Sequence, residues 1–193
     1  MNIFNPVRKI VVAITGASGA IYAKLLIEKL KQLNVPPKEI AVIFSAAAKK
    51  IWIYETGSAF EAALPVKEYC NDSFFAPFAS GSSTYDTMII CPASMGTIGR
   101  IANGTSDNLI ARAADVMLKE RRKLIITPRE TPYNLIHIEN FKTLTLAGAV
   151  ICPASPSFYS APQSINELTM TVVDRIIDLA GFENNSFRWM END

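Results

Sequence analysis

Lys9-Ile-Val-Val-Ala-Ile-Thr-Gly-Ala-Ser-Gly-Ala20 joins an apolar run to a run of small residues. The apolar part does not alternate with polar residues, which is typical of a strand that is covered on both faces of a sheet. The small residues predict a tight turn, and residues from about 19 to 33 have apolar side chains near helical spacing. The sequence therefore predicts a strand, a turn and a helix in succession.

This succession of strand and helix repeats along the chain. Further strands are predicted at residues 40–44, 87–91, 123–127 and 149–152, and further helices at residues 45–54, 109–120, 135–147 and 164–179. The apolar residues of 57–83 follow neither strand spacing nor helical spacing, so this region is predicted to be irregular. Alternating strands and helices favour parallel strands with right-handed crossovers. We therefore expect an α/β fold with a Rossmann-like open parallel sheet and helices on both faces, in a single domain over residues 1–193 with a C-terminal tail from about 182.

The composition excludes several classes of protein. The 193 residues are 49% hydrophobic and 19% charged, with a net charge of +1, so neither disorder nor a nucleic-acid surface is expected. No apolar run approaches the roughly 20 residues that span a bilayer. Residues 1–9 lack the apolar core of a signal peptide. The cysteines, Cys70, Cys91 and Cys152, are odd in number and widely spaced, which favours a soluble protein of the reducing cytoplasm over a disulfide framework or a zinc site.

The turns after the predicted strands hold the candidate binding residues. In a parallel sheet, ligands bind at the carboxyl ends of the strands, where small residues let backbone N–H groups and hydroxyls approach a phosphate. A dinucleotide site for NAD places Asp or Glu at the end of the second strand, where this chain has Ser45. The turns therefore favour a mononucleotide such as FMN, although a tight turn without a ligand also accounts for the first one.

Nine short segments together resemble the UbiX-type flavin prenyltransferases over residues 10–175. The segments are Thr15-Gly-Ala-Ser-Gly-Ala-Ile-Tyr22, Tyr54-Glu-Thr56, Ser80-Gly-Ser82, Cys91-Pro-Ala-Ser-Met-Gly-Thr97, Arg112-Ala-Ala-Asp-Val116, Leu118-Lys-Glu-Arg-Arg122, Pro128-Arg-Glu-Thr-Pro132, Gly148-Ala-Val-Ile151, and Phe158-Tyr159 followed by Pro162-Gln-Ser164. Each segment alone is weak evidence for the resemblance, but their joint order and spacing are specific to this family.

The resemblance implies a metal-independent enzyme and a homo-oligomer, often a dodecamer, with sites between subunits. Such an enzyme joins a dimethylallyl group from dimethylallyl phosphate to N5 and C6 of reduced FMN. The product, prenylated FMN, serves UbiD-type decarboxylases.

The resemblance also implies roles for individual residues. It places FMN on Gly16, Ala17, Ser18, Ser45, Ser94, Met95, Gly96, Thr97 and Arg129. It places the prenyl phosphate on Arg112, Lys119, Tyr159 and Arg175, with Trp189 shielding the prenyl group. It gives catalytic roles to Glu55, Glu130, Ser18 and Tyr159. Carboxylates near a flavin can hold charge or relay protons, and clustered cations favour the departure of a phosphate.

Two other functions stay open on the residues alone. A flavoprotein of the cysteine-decarboxylase type carries a catalytic histidine and a Pro-x-Met-Asn motif, whereas this chain has Pro92-Ala-Ser-Met95 and its one histidine, His137, lies in a predicted helix. A non-catalytic FMN-binding module would need the turns but not Glu55, Glu130, Lys119 and Arg175 together. An NAD(P) oxidoreductase is disfavoured by Ser45.

Overall fold

The computed structural model describes residues 8–190, in which six strands and six helices largely alternate along the chain. The strands are β1 (Lys9–Ile14), β2 (Glu39–Phe44), β3 (Val66–Cys70), β4 (Tyr85–Ala93), β5 (Lys123–Pro128) and β6 (Val150–Ile151). The helices are α1 (Ala20–Gln32), α2 (Ala46–Thr56), α3 (Met95–Ala102), α4 (Leu109–Lys119), α5 (Leu135–Leu146) and α6 (Ile165–Ala180), with a short 3₁₀ helix at Pro77–Ala79. No helix in this part of the chain is long and apolar enough to cross a membrane.

All neighbouring strands of the sheet are parallel, in the order β3-β2-β1-β4-β5-β6. The chain builds outward from β1 to β3 and then returns to place β4 on the other side of β1. The direction of growth therefore reverses between β1 and β4, and open α/β sheets bind ligands outside the carboxyl ends of the strands at such a switch point. The predicted Rossmann-like open parallel sheet is confirmed.

Both faces of the sheet are covered, which explains the continuous apolar runs in its strands. In β1, Ile10, Val12 and Ile14 pack on the face that carries α1, α2 and α6. Val11 and Ala13 pack on the opposite face, which carries α3, α4 and α5. The two helices α4 and α6 therefore lie on opposite sides of the sheet.

Two elements lie where the sequence predicts no regular structure. Strand β3 lies inside residues 57–83 and pairs with β2 alone, at the edge of the sheet. Its Val66 is buried and its Lys67 is exposed, so it has no continuous apolar run. Helix α3 lies in a segment for which no helix is predicted and contains Gly96 and Gly99, which have low helix propensity. The other predicted elements are present with ends that differ by one or two residues.

The hydroxyl of Thr15 joins the carboxyl ends of β1 and β4. It donates to the carbonyl of Pro92 at 2.9 Å and accepts from the amide of Ser94 at 2.7 Å. The amide of Thr15 donates to the same carbonyl at 3.2 Å. Thr15 is 1% exposed, so these bonds are made away from water and fix the two strand ends that flank the switch point.

Replacing Thr15 with Val keeps the shape of the side chain but removes its hydroxyl. The amide of Ser94 then loses its partner in a partly buried place, and we expect the free energy of unfolding to fall by about 2 kcal/mol. The measurement is urea denaturation at fixed protein concentration. Thr15→Ser keeps the hydroxyl and loses one methyl group, so its free energy of unfolding should fall by only about 1 kcal/mol. Equal stability of Thr15→Val and wild type would contradict the role of the hydroxyl.

Candidate functional site

The turn between β1 and α1 passes close to the start of α2. A Cβ atom on Gly16 would lie 2.9 Å from Cβ of Ala47, so this position has no room for a side chain. Gly19 has a φ of 112°, in the left-handed region that favours glycine. Gly16 and Ser18 are exposed, whereas Ala17 is buried. The turn therefore presents its backbone and one hydroxyl at the switch point.

Glu55, in the last turn of α2, caps the N-terminus of α1. Its carboxylate accepts from the amides of Gly19 at 2.9 Å and Ala20 at 2.7 Å, and the hydroxyl of Ser18 also bonds to it. Burial alone raises the pKa of Glu55, but these hydrogen bonds and the charge of Arg129 outweigh burial and lower the pKa. Glu55 is therefore a fixed anion beside the first turn.

Arg129 follows β5 directly and crosses to the first turn. Its amide donates to the carbonyl of Ala93 at 3.3 Å, and its Nε donates to the carbonyl of Ser18 at 2.9 Å. Its two terminal nitrogens make no hydrogen bond within residues 8–190. A guanidinium held in this way keeps donors for a phosphate or a flavin carbonyl.

The turn after β4 leads into the first turn of α3. Ser94 occupies the N-cap position, but its hydroxyl lies 3.1 Å from the hydroxyl of Thr97 and does not cap the helix backbone. The first backbone N–H groups of a helix, here those of Met95 and Gly96, have no partner within the helix. Two hydroxyls and these N–H groups are therefore available to an anion at this edge.

Ser45 lies at the end of β2, on the other side of β1. Its amide donates to the carbonyl of Ile14 at 3.0 Å, and its hydroxyl accepts from the amide of Ala48 at 3.1 Å as the N-cap of α2. The hydroxyl hydrogen of Ser45 can still donate to a ligand. The structure thus brings the predicted flavin residues to one edge of the sheet around the switch point.

These groups fit a flavin mononucleotide. They combine a guanidinium, several hydroxyls and backbone donors, which is the chemistry that a phosphate and flavin carbonyls require. Among residues 8–190, no group of His, Cys, Asp and Glu side chains is arranged to hold a metal ion.

Arg112 and Lys119 both reach residues 79–81, where the 3₁₀ helix ends. Nε of Arg112 donates to the carbonyl of Ala79 at 3.0 Å, and its Nη1 pairs with Asp115 at 2.8 Å. Lys119 pairs with Glu120, beside Gly81. Both cations therefore lie on the side of α4 that faces residues 79–81.

A cavity of about 340 Å³ lies between α6 and the C-terminal tail. It is lined by Tyr159, Arg175 and Trp189 among others. The rings of Tyr159 and Trp189 are in contact, with centroids 4.6 Å apart. Arg175 is exposed and makes no hydrogen bond or ion pair with the residues that the structure describes. This cavity therefore offers one unpaired cation and an aromatic wall.

The predicted residues do not form one cluster within a single chain. Arg112 and Lys119 lie on α4, whereas Arg175 lies on α6, on the other side of the sheet. Glu130 is exposed, and its carboxylate accepts from the amide of Thr131 at 3.0 Å. The one histidine, His137, belongs to the N-terminal cap of α5 with Asn134, as expected for a helix histidine.

Three residues matter to the site without having been singled out from the sequence. Thr15 fixes the switch point, and its position between a strand and a glycine turn is a signal that sequence reasoning could have used. Asp178 and Arg188 form a bidentate ion pair between α6 and the tail. No sequence pattern predicts that pair, because the tail has no periodic structure.

Replacing Glu55 with Gln tests whether the charge of Glu55 stabilises the fold. At pH 7 we expect Tm to fall by about 2 °C, a small change because solvent screens an exposed carboxylate. The pKa of Glu55 in the folded protein lies below the ordinary value of 4.5. The charge therefore stabilises the fold above pH 4.5, and this contribution is lost as the pH falls through the folded pKa. The Tm difference should therefore shrink as the pH falls below 4.5 and disappear once the pH lies below the folded pKa.

Calorimetry at fixed protein concentration provides this measurement. Glu61→Gln is the matched control, because the carboxylate of Glu61 has no hydrogen bond or ion pair among residues 8–190. A Tm difference between Glu55→Gln and wild type that persists unchanged at acid pH would show that the charge is not its cause.

Comparison with known proteins gives consistent matches over nearly the whole chain. The flavoprotein family model matches residues 5–179. Flavin prenyltransferase UbiX of Methanocaldococcus jannaschii is 47% identical over 184 residues, which cover 94% of this chain and 98% of that protein.

Two solved structures share the fold closely. AnUbiX, crystallised in complex with FMN and dimethylallyl pyrophosphate, is 39% identical with a TM-score of 0.83, over 94% of this chain and 99% of that one. A dodecameric FMN-dependent UbiX-like decarboxylase from Escherichia coli is 35% identical with a TM-score of 0.86, also over 94% and 99%. The chain therefore belongs to the UbiX-type flavin prenyltransferases of the flavoprotein family, and FMN is its cofactor.

Proposed function

We propose that this prenyltransferase joins a dimethylallyl group from dimethylallyl phosphate to N5 and C6 of reduced FMN. The product, prenylated FMN, is delivered to a UbiD-type decarboxylase. The observation that carries the proposal is the fixed carboxylate of Glu55, held beside Ser18 and Arg129 at the switch point of the sheet. The three free cysteines are in keeping with a reducing cytoplasm as the site of action.

FMN binds in this proposal to the turns at the carboxyl ends of the strands. The residues are Gly16, Ala17, Ser18, Ser45, Ser94, Met95, Gly96, Thr97 and Arg129. Their hydroxyls, backbone N–H groups and guanidinium hold the phosphate and the ring carbonyls. Reduced FMN supplies the nucleophilic atoms N5 and C6 when it is bound.

Joining N5 to the prenyl group breaks the allylic C–O bond and releases the proton of N5. Joining C6 breaks the prenyl double bond, so one alkene carbon takes up a proton while C6 loses its own. The hydroxyl of Ser18 bonds to Glu55, so together they form a path from the site to a carboxylate that is ionised at neutral pH. Glu130 follows Arg129 and is the second carboxylate of the proposal. The released phosphate can also accept a proton.

Four residues hold the prenyl phosphate and favour its departure. They are Arg112, Lys119, Tyr159 and Arg175. Breaking the allylic C–O bond leaves negative charge on the phosphate, which cations and a phenol hydroxyl stabilise. The rings of Tyr159 and Trp189 give the allylic cation an aromatic wall. AnUbiX binds dimethylallyl pyrophosphate, so both donors belong in the test.

The complete site requires more than one chain in this proposal. Arg112 and Lys119 lie across the sheet from Arg175 in the same chain, and a second chain can place its own Arg175 beside them. We propose a homo-oligomer, a dodecamer like the UbiX-like protein of Escherichia coli. Helix α5 presents apolar side chains that suit a contact between chains. They are Leu135, Ile136, Ile138 and Leu146, all exposed.

Anaerobic incubation of the protein with reduced FMN and dimethylallyl phosphate tests the reaction. We expect the extracted flavin to be heavier by one isoprene unit, as measured by mass spectrometry. A parallel sample with dimethylallyl pyrophosphate should give less product if the monophosphate is the donor. Bound flavin of unchanged mass with either donor would overturn the proposal and favour a non-catalytic FMN-binding module.

The variant Glu130→Gln separates catalysis from cofactor binding in the same assay. We expect it to retain FMN and to lose at least about tenfold in turnover, the lower range for loss of a proton-transfer group. Loss of FMN instead would give Glu130 a binding role. Release of carbon dioxide from a peptidyl-cysteine substrate would favour the cysteine-decarboxylase type.

Co-expression of two defective chains tests the shared site. Arg112→Ala and Arg175→Ala should each be nearly inactive, whereas mixed oligomers should recover about a quarter of wild-type activity, since random assembly restores that fraction of sites. Arg112→Ala with Lys119→Ala is the matched control, because both residues lie on one helix of one chain and should give no recovery. Equal activity in the two mixtures would contradict a site formed between chains.

A further inference from the structure

The C-terminal tail, residues 182–190, is tied to one face of α6. The side-chain amide of Asn184 donates to Asp174 at 3.2 Å. The guanidinium of Arg188 donates to both carboxylate oxygens of Asp178, at 2.5 and 2.8 Å. Asp174 and Asp178 are four residues apart, so they lie on the same face of the helix. The tail therefore follows that face although it has no helix or strand of its own.

The ion pair between Asp178 and Arg188 determines where Trp189 lies. Trp189 directly follows Arg188, and its ring contacts Tyr159 at the wall of the 340 Å³ cavity. Trp189 is 61% exposed and Tyr159 is 68% exposed, so their contact buries too little surface to hold the tail by itself. The ion pair is the stronger restraint, because it is bidentate and charged.

The same ion pair sets the charge of the cavity. The side chain of Asp178 is only 14% exposed and that of Arg188 is 37% exposed, so each compensates the other in a partly desolvated place. Arg175, one turn away on α6, has no such partner among the described residues. The pairing leaves Arg175 as the cation in this cavity that an incoming phosphate can engage.

We propose that Asp178 is a positioning residue for the prenyl donor. Its ion pair with Arg188 closes the tail over the cavity, holds Trp189 against Tyr159 and so encloses the prenyl chain beside Arg175. The role of the donor in this inference rests on the proposed function, whereas the closure of the tail does not depend on it.

The variant Asp178→Asn removes one charge without changing the size of the side chain. We expect trypsin to cleave after Arg188 at least about fivefold faster in the FMN-loaded variant, since cleavage follows the population of the open tail. We also expect the KM for dimethylallyl phosphate to rise about tenfold, equivalent to about 1.4 kcal/mol, with kcat and FMN affinity little changed.

A second variant and a control keep the test decisive. Arg188→Gln lies after the last helix, so it leaves the core intact, and it should raise the donor KM to a similar degree. Glu139→Gln removes a carboxylate from an exposed ion pair with Lys142 on α5 and should change neither the cleavage nor the KM. Unchanged cleavage in Asp178→Asn would overturn the closure, and faster cleavage with an unchanged KM would overturn the positioning role.

Calorimetric titration of dimethylallyl phosphate provides a readout that does not need turnover. Wild-type protein that binds the donor but forms no prenylated flavin would overturn the proposed reaction, while tail cleavage and donor affinity still decide the role of Asp178. Equal donor affinity in wild type and Asp178→Asn would overturn the inference in that case as well.

Discussion

The hydroxyl of Thr15 holds together the two strand ends on which the rest of the site depends. It bonds to the carbonyl of Pro92 and the amide of Ser94, so the first turn and the start of α3 cannot move apart. Arg129 then bridges from β5 to the same first turn through the carbonyl of Ser18. The turns at the carboxyl ends of β1, β4 and β5 are therefore bonded to one another in the absence of a ligand.

The N-terminus of α1 is occupied by the protein itself. Glu55 takes the amides of Gly19 and Ala20, the place where a dinucleotide fold usually receives a phosphate. The proposed FMN phosphate would therefore use the hydroxyls of the other turns, the start of α3 and the terminal nitrogens of Arg129. In the proposed function, this arrangement would keep the phosphate apart from the carboxylate, so that Glu55 and Ser18 would serve in proton transfer.

The sequence predicts the parts of this structure that depend on local patterns. Strands buried on both faces are continuous apolar runs, so β1, β2, β4 and β5 were predictable. The edge strand β3 was not, because its Val66 is buried whereas its Lys67 is exposed. The turn residues were predictable because small residues and hydroxyls follow the strands. The bond between Thr15 and Ser94 and the pair of Asp178 with Arg188 join segments through the fold, and no local pattern encodes them.

The topology also explains why the residues of the proposed donor site are divided within a single chain. Helices α4 and α6 pack on opposite faces of the sheet, so Arg112 and Arg175 of one chain lie on opposite sides of it. The apolar surface of α5, which the fold leaves exposed, provides a means of association between chains. Association would then do what folding cannot, since it would place the cations of one chain at the aromatic wall and Arg175 of the next.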